Sequence, residues 1–207
     1  MKPKVGILIS GRGSNMEALL RAAAAPGYPA EIALVLANNP DAPGLVAARA
    51  AGIAGIAIDH RPFRRDRGAH EAAIAAALDA ADVEIVCLAG YMRLLTPFLV
   101  TRYAGRMLNI HPSLLPAFPG LDTHARALAA GVKLHGCTVH LVTEAMDEGP
   151  ILAQAAVPIL PGDDEASLAA RVLAQEHRLY PAALAALAAK TPGHSPAPDA
   201  ALANPLA

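Results

Sequence analysis

Asn109, His111 and Asp147 are the side chains of this 207-residue sequence whose types could move a proton and hold a developing negative charge. Asn109 and His111 stand two apart in Met107-Leu108-Asn109-Ile110-His111-Pro112. On an extended strand they share a face and converge on one small group. An amide donor beside an imidazole can stabilise an oxyanion and act in general acid–base catalysis. Pro112 keeps His111 extended and ends the strand. Asp147 offers the carboxylate, from Met146-Asp147-Glu148-Gly149-Pro150 in the connection 144–150. Taken singly, each has an ordinary reading: an Asn in a turn, a strand-terminal His on a carbonyl, an Asp bonded to its own backbone. His135 and His140 are five apart, on opposite strand faces, and cannot chelate one metal together. No metal site is expected.

A second chemistry sits near the start. Ser10-Gly11-Arg12-Gly13-Ser14-Asn15 follows an apolar run and opens a helical pattern, so free backbone N–H groups face outward where a helix begins. That is a cradle for phosphate. The competing reading is a tight turn built by two glycines, with Ser14 or Asn15 capping the helix. The dinucleotide fingerprint would need glycine at 16, where Met16 stands, and an acid ending the second strand, where Asn38-Asn39 stand. A nicotinamide cofactor is therefore not expected, and the Walker Lys-Ser/Thr is missing as well.

These residues need a scaffold. Apolar runs of strand length occur at 5–9, 32–37, 53–58, 83–89, 107–110, 138–142 and 151–157. Most are continuous, as expected of strands covered on both faces. Helical patterns at 16–25, 45–51 and 67–81 alternate with the first of them, followed by 123–130 and a long amphipathic helix over 164–189, bent or interrupted near Pro181. The reading is α/β: a doubly wound, mostly parallel sheet with a Rossmann-type N-terminal half and a long C-terminal helix. One domain is expected over 1–190, with 191–207, which holds four prolines and no apolar periodicity, as a disordered tail.

Composition removes whole classes. Alanine fills 49 positions and aromatics 3%, so the core must come from Val, Ile and Leu of strands under close-lying helices. A net charge of −1 without a run of like charges argues against nucleic acid as a partner. No apolar run of about 18 residues exists, and the start lacks a secretory signal, so no membrane is expected and the protein is placed in the cytoplasm. Cys87 and Cys137 have no C-x-x-C partner and are expected to be neither disulfide nor zinc ligands.

Taken together, the motifs resemble the phosphoribosylglycinamide formyltransferase family, the folate-dependent enzymes of purine synthesis. The likeness runs from Val5 to about Ala189 through Ile9-Ser10-Gly11-Arg12-Gly13-Ser14-Asn15, Leu88-Ala89-Gly90-Tyr91-Met92-Arg93, Asn109-Ile110-His111-Pro112-Ser113-Leu114-Leu115-Pro116, Gly136-Cys137-Thr138-Val139-His140, Asp147-Glu148-Gly149 and Gln175-Glu176-His177. The resemblance implies a formyltransferase-like fold, with a ribonucleotide-binding half over 1–100 and a folate-binding, catalytic half over 101–190. It implies catalysis by Asn109, His111 and Asp147, with His140 in support or simply a buried strand residue. Gly11, Arg12, Gly13, Ser14, Asn15 and Glu176 would bind glycinamide ribonucleotide. Arg67, Met92, Arg93, Leu94, Leu95 and Val142 would bind the co-substrate 10-formyltetrahydrofolate. Glu148, where a small residue is usual, and Leu173, where some relatives are polar, depart from the pattern. A monomer or homodimer is expected.

Alternatives remain a formyl-folate enzyme acting on methionyl-tRNA, a formyl-folate hydrolase, and a folate or phosphate binding protein without turnover. The first would be expected to carry a basic C-terminal domain, the second an extra N-terminal domain.

Overall fold

The computed structural model describes residues 1–189; the expected tail at 191–207 lies outside the described residues. Seven strands form one sheet in the order β3-β2-β1-β4-β5-β6-β7. They are β1 (Lys4–Ile9), β2 (Glu31–Ala37), β3 (Ala54–Ala57), β4 (Ile85–Leu88), β5 (Met107–His111), β6 (Leu134–Leu141) and β7 (Ile151–Pro158). β1 to β5 are mutually parallel, whereas β6 and β7 add antiparallel neighbours at one edge. Among the described residues six α-helices accompany them: α1 (Ser14–Ala23), α2 (Pro43–Ala50), α3 (Arg67–Ala80), α4 (Pro97–Arg102), α5 (Thr123–Ala130) and α6 (Glu165–Ala188).

The strand sequences sort themselves between two cores by their period of two. Val5, Ile7 and Ile9 of β1 enter one core with Met16 and Leu19 of α1, Leu45 of α2 and Leu168, Val172 and Tyr180 of α6. Leu8 of β1 enters the other, with Ile74 and Leu78 of α3 and Leu99 and Tyr103 at α4. β5 obeys the same rule. Leu108 and Ile110 face the α6 side, while Met107 packs on the α3–α4 side. Asn109 and His111 therefore share the α3–α4 face.

Two local expectations need correction. The sequence reading left 97–102 without a helix, yet α4 forms there, with Pro97 occupying a first-turn position whose missing N–H costs nothing. Of the bend or interruption expected near Pro181 in the long C-terminal helix, the interruption does not occur: α6 runs 24 residues through Pro181. Proline removes a helical hydrogen bond, but here the ring is buried, and the Pro181 carbonyl accepts the Tyr28 hydroxyl at 2.7 Å. One residue earlier, the fully buried Tyr180 hydroxyl reaches the carbonyls of Leu88 (3.0 Å) and Leu108 (3.1 Å), pinning α6 beneath β4 and β5. Tertiary contacts thus offset what the helix loses.

Candidate active site

In an open parallel sheet, ligands gather beyond the strand carboxyl ends where the chain order reverses. Here that point lies between β1 and β4. A cavity of about 300 Å³ opens there, lined by Ser10, Gly11, Arg12, Gly13, Ser14, Asn15, Ala89, Gly90 and Met92. Gly13 caps α1 with φ 75°, the left-handed backbone that glycine adopts without penalty. Its side of α1 carries no side-chain cap, so the first amides of the helix stay open to a ligand. The competing reading, in which Ser14 or Asn15 caps the helix, is therefore not met, since Gly13 is the N-cap.

Asn15 instead turns inward, donating from Nδ2 to Glu176 Oε2 of α6 at 2.7 Å across 161 residues of sequence. Its Oδ1 is buried without a partner among the described residues. Burial raises the pKa of Glu176, and the bond from Asn15 offsets this in part. A carboxyl and an amide with spare hydrogen-bonding capacity thus stand beside the glycine loop. Arg12 is exposed.

The catalytic candidates meet two strands further along. Strand spacing of about 4.8 Å puts the end of β5 roughly 10 Å from that of β1. Asn109 of β5 lies opposite His140 of β6 in the antiparallel ladder, and Asn109 Nδ2 is 3.1 Å from His140 Nε2. His140 Nδ1 faces the Leu141 carbonyl at 3.0 Å, so Nδ1 carries the proton and Nε2 accepts from Asn109. Burial lowers the His140 pKa, which keeps this arrangement neutral. One N–H of the Asn109 amide remains for a ligand.

His111 donates from Nε2 to the Phe118 carbonyl at 3.0 Å, which directs Nδ1 toward Asp147 Oδ2, 3.5 Å away. Asp147 Oδ1 lies 3.8 Å from His140 Nε2. Oδ2 also accepts the Gly120 N–H at 2.8 Å, tying the 144–150 connection to the loop after His111. The neighbouring Glu148 is exposed, and so stands apart from this group. Gly149 allows the turn its path, since a Cβ there would run into the Leu141 carbonyl oxygen.

Of the residues predicted to meet the folate, Met92 and Leu94 are exposed at 68% and 63%, while Leu95 and Val142 are partly buried against the α3–α4 core. Arg67 opens α3 and is exposed; Arg93 is partly buried. Further contacts complete the frame, and of their residues the sequence reading passes over Gly44. Ser10 Oγ donates to Asn38 Oδ1 (2.6 Å) and accepts the Met92 N–H (2.8 Å), joining the glycine loop to the apolar slot. Gly44 packs so closely on Ile9 and the loop carbonyls that a side chain would displace them. Gly44 follows a proline at a helix start, a signal too common to single out. His135 bonds His124 at 3.1 Å on the opposite face from His140. Among the described residues no three His, Cys, Asp or Glu side chains gather to hold a metal ion, and no helix is long and apolar enough to cross a membrane.

This scaffold recurs in known proteins. The formyl transferase family matches residues 3–184, and the chain belongs to that family, among the phosphoribosylglycinamide formyltransferases. It is 45% identical to the phosphoribosylglycinamide formyltransferase of Escherichia coli, over 84% of this chain and 82% of that protein. The crystal structure of phosphoribosylglycinamide formyltransferase from Brucella melitensis superposes with a TM-score of 0.87 at 62% identity, covering 91% of this chain and 97% of that one. The chain is also 48% identical to the trifunctional purine biosynthetic protein adenosine-3 of Drosophila melanogaster, of which it spans 14%.

Proposed function

We propose that this protein transfers the formyl group of 10-formyltetrahydrofolate to the amine of glycinamide ribonucleotide, by direct acyl transfer. The observation that carries this reading is the convergence of Asn109, His111 and Asp147 at the end of β5, next to an open glycine cradle. The cradle suits a single phosphate held by backbone amides. Asn15 and Glu176 then meet the hydroxyl groups of the ribose, an acceptor and a carboxyl for a ligand rich in donors. A flat heteroaromatic ring fits the apolar surface of Met92, Leu94, Leu95 and Val142, and Arg67 supplies a cation for the glutamate of the folate.

Reaction starts when the uncharged amine attacks the formyl carbon on N10, giving a tetrahedral species with an oxyanion. The free N–H of Asn109 donates to that oxygen, and protonated His111 stabilises its charge. His140 serves as a positioning residue. Its Nε2 fixes which way the Asn109 amide points. Asp147 orients His111 and relays the proton of the attacking amine to N10, so the C–N10 bond breaks, the oxyanion collapses to the new formamide and tetrahydrofolate leaves. No covalent intermediate is needed, and burial pushes the Cys87 and Cys137 thiols up to about 12, far from a reactive thiolate.

The test is to mix pure protein with both substrates and follow the absorbance change of the folate together with the formylated ribonucleotide. Formate release without ribonucleotide would instead identify a hydrolase. Binding without turnover would identify a carrier.

A further inference from the structure

The segment from Tyr91 to Thr96 carries much of the proposed folate slot, yet Met92 and Leu94 expose most of their surface and gain little order from packing. Its near end is tied by the Met92 N–H to Ser10 Oγ at 2.8 Å. Its far end is tied by Glu71, from the second turn of α3. The Glu71 side chain is buried in a residue 2% exposed; Oε1 accepts the Thr96 N–H at 2.7 Å and Oε2 accepts the Thr96 hydroxyl at 2.6 Å.

Thr96 is the N-cap of α4, where a threonine hydroxyl ordinarily accepts from the helix. Here it makes no such bond and points to Glu71 instead. Among the described residues Glu71 has no ion-pair partner. A side chain reaching over from α3 is not needed to cap a six-residue helix, since the Thr96 hydroxyl could do so by itself. Nor does the docking of α4 rest on Glu71 alone, because Leu99 of α4 is fully buried in one core with Ile74 and Leu78 of α3. What Glu71 fixes locally is the exit of the slot-forming segment.

We propose that Glu71 is a positioning residue for the formyl-folate. Its carboxylate clamps Thr96 and so holds Arg93, Leu94 and Leu95 in the binding arrangement before the co-substrate arrives, which removes an ordering cost from binding. This assignment rests on the function proposed above.

Glu71→Gln and Glu71→Ala separate the clamp from the charge and from mere stability. A glutamine can still accept the Thr96 N–H through Oε1 and donate to the Thr96 hydroxyl through Nε2. Steady-state kinetics are measured well below each variant's melting temperature. Glu71→Gln should stay within about twofold of the parent in all constants, whereas Glu71→Ala should raise KM for 10-formyltetrahydrofolate about tenfold, with kcat and KM for the ribonucleotide within about twofold. A lowered melting temperature with an unmoved folate KM would reduce Glu71 to a structural residue and overturn the proposal. So would an equal rise in both KM values, or a Gln variant as impaired as the Ala variant. If Glu71→Ala does not fold, Thr96→Val removes the hydroxyl partner alone and should raise the folate KM about threefold; no change there overturns the clamp. An inactive parent enzyme would overturn the function and this assignment together, while an active parent with an unmoved Ala variant overturns the assignment alone.

Discussion

Asp147 occupies the left-handed backbone region, φ 57°, in a turn whose neighbouring glycine admits no side chain. Asparagine tolerates that conformation better than most residues and matches the carboxylate in size. Asp147→Asn should therefore keep the turn, the Gly120 bond and folate affinity. What it loses is the negative charge 3.5 Å from His111 Nδ1 and the acceptor for the departing proton. Turnover should fall at least about a hundredfold with little change in either KM. Glu148→Gln, on the exposed neighbour, should be nearly silent. The reverse pattern in paired steady-state assays would assign the wrong acid to His111. The pairing of Asn109 with His111 was legible in the sequence, because a spacing of two on a strand decides the face. The Phe118 carbonyl that fixes the His111 tautomer was not, since backbone partners leave no trace in side-chain types.

The element that feeds the cradle is the β1-to-α1 turn, and its conformation rests on Gly13. Valine there would meet the φ of 75° with a branched Cβ, and a Cβ would also stand 3.3 Å from Met16 Cε. Gly13→Val should raise KM for the ribonucleotide at least about tenfold while the folate KM moves little. Equal effects on both substrates in a folded variant would leave the loop a structural turn. The 147–150 turn makes a parallel case: Gly149→Ala drives a Cβ into the Leu141 carbonyl and must displace Asp147, so kcat should drop while the glycine-loop substrate still binds. Saturation binding of the ribonucleotide by calorimetry checks this, and loss of that binding would show damage spreading beyond the turn. Elements of this kind were readable from local signals, glycines after an apolar run or a helical period between strands. Helix α4 escaped notice because its six residues span under two turns, too few for periodicity to register. The continuity of α6 escaped because proline's local penalty is offset by contacts remote in sequence, Tyr28 on Pro181 and Tyr180 on Leu88 and Leu108.

Across the whole molecule, continuous apolar runs disclosed a sheet covered on both faces, but not the contact that joins residue 15 to residue 176; the resemblance implied only that both meet the ribonucleotide. Burial on this scale also sets how stability responds to acid. His70, His124, His135, His140 and His177 all have pKa values lowered chiefly by desolvation. His135 is the strongest case: it is 1% exposed, and burial, aided by the charges of His124 and His111, pushes its pKa down to about 4 from an ordinary 6.5. The unfolded chain takes up that proton first as pH falls, so stability is full above about pH 6.5 and is lost progressively toward pH 4. The loss from this one side chain approaches about 3 kcal/mol at the acid end. Glu176 acts in the opposite sense, because its raised pKa lets the folded state hold a proton, and that contribution fades as pH rises. His135→Gln isolates the histidine, keeping a polar side chain of similar length but removing its titration. Urea unfolding between pH 4.5 and 6 should show the variant's stability falling less steeply than the parent's, by about 1.4 kcal/mol per pH unit, the worth of one proton. Parallel slopes would mean that His135 is protonated in the folded protein, and that the His124–His135 pair closes around a charge.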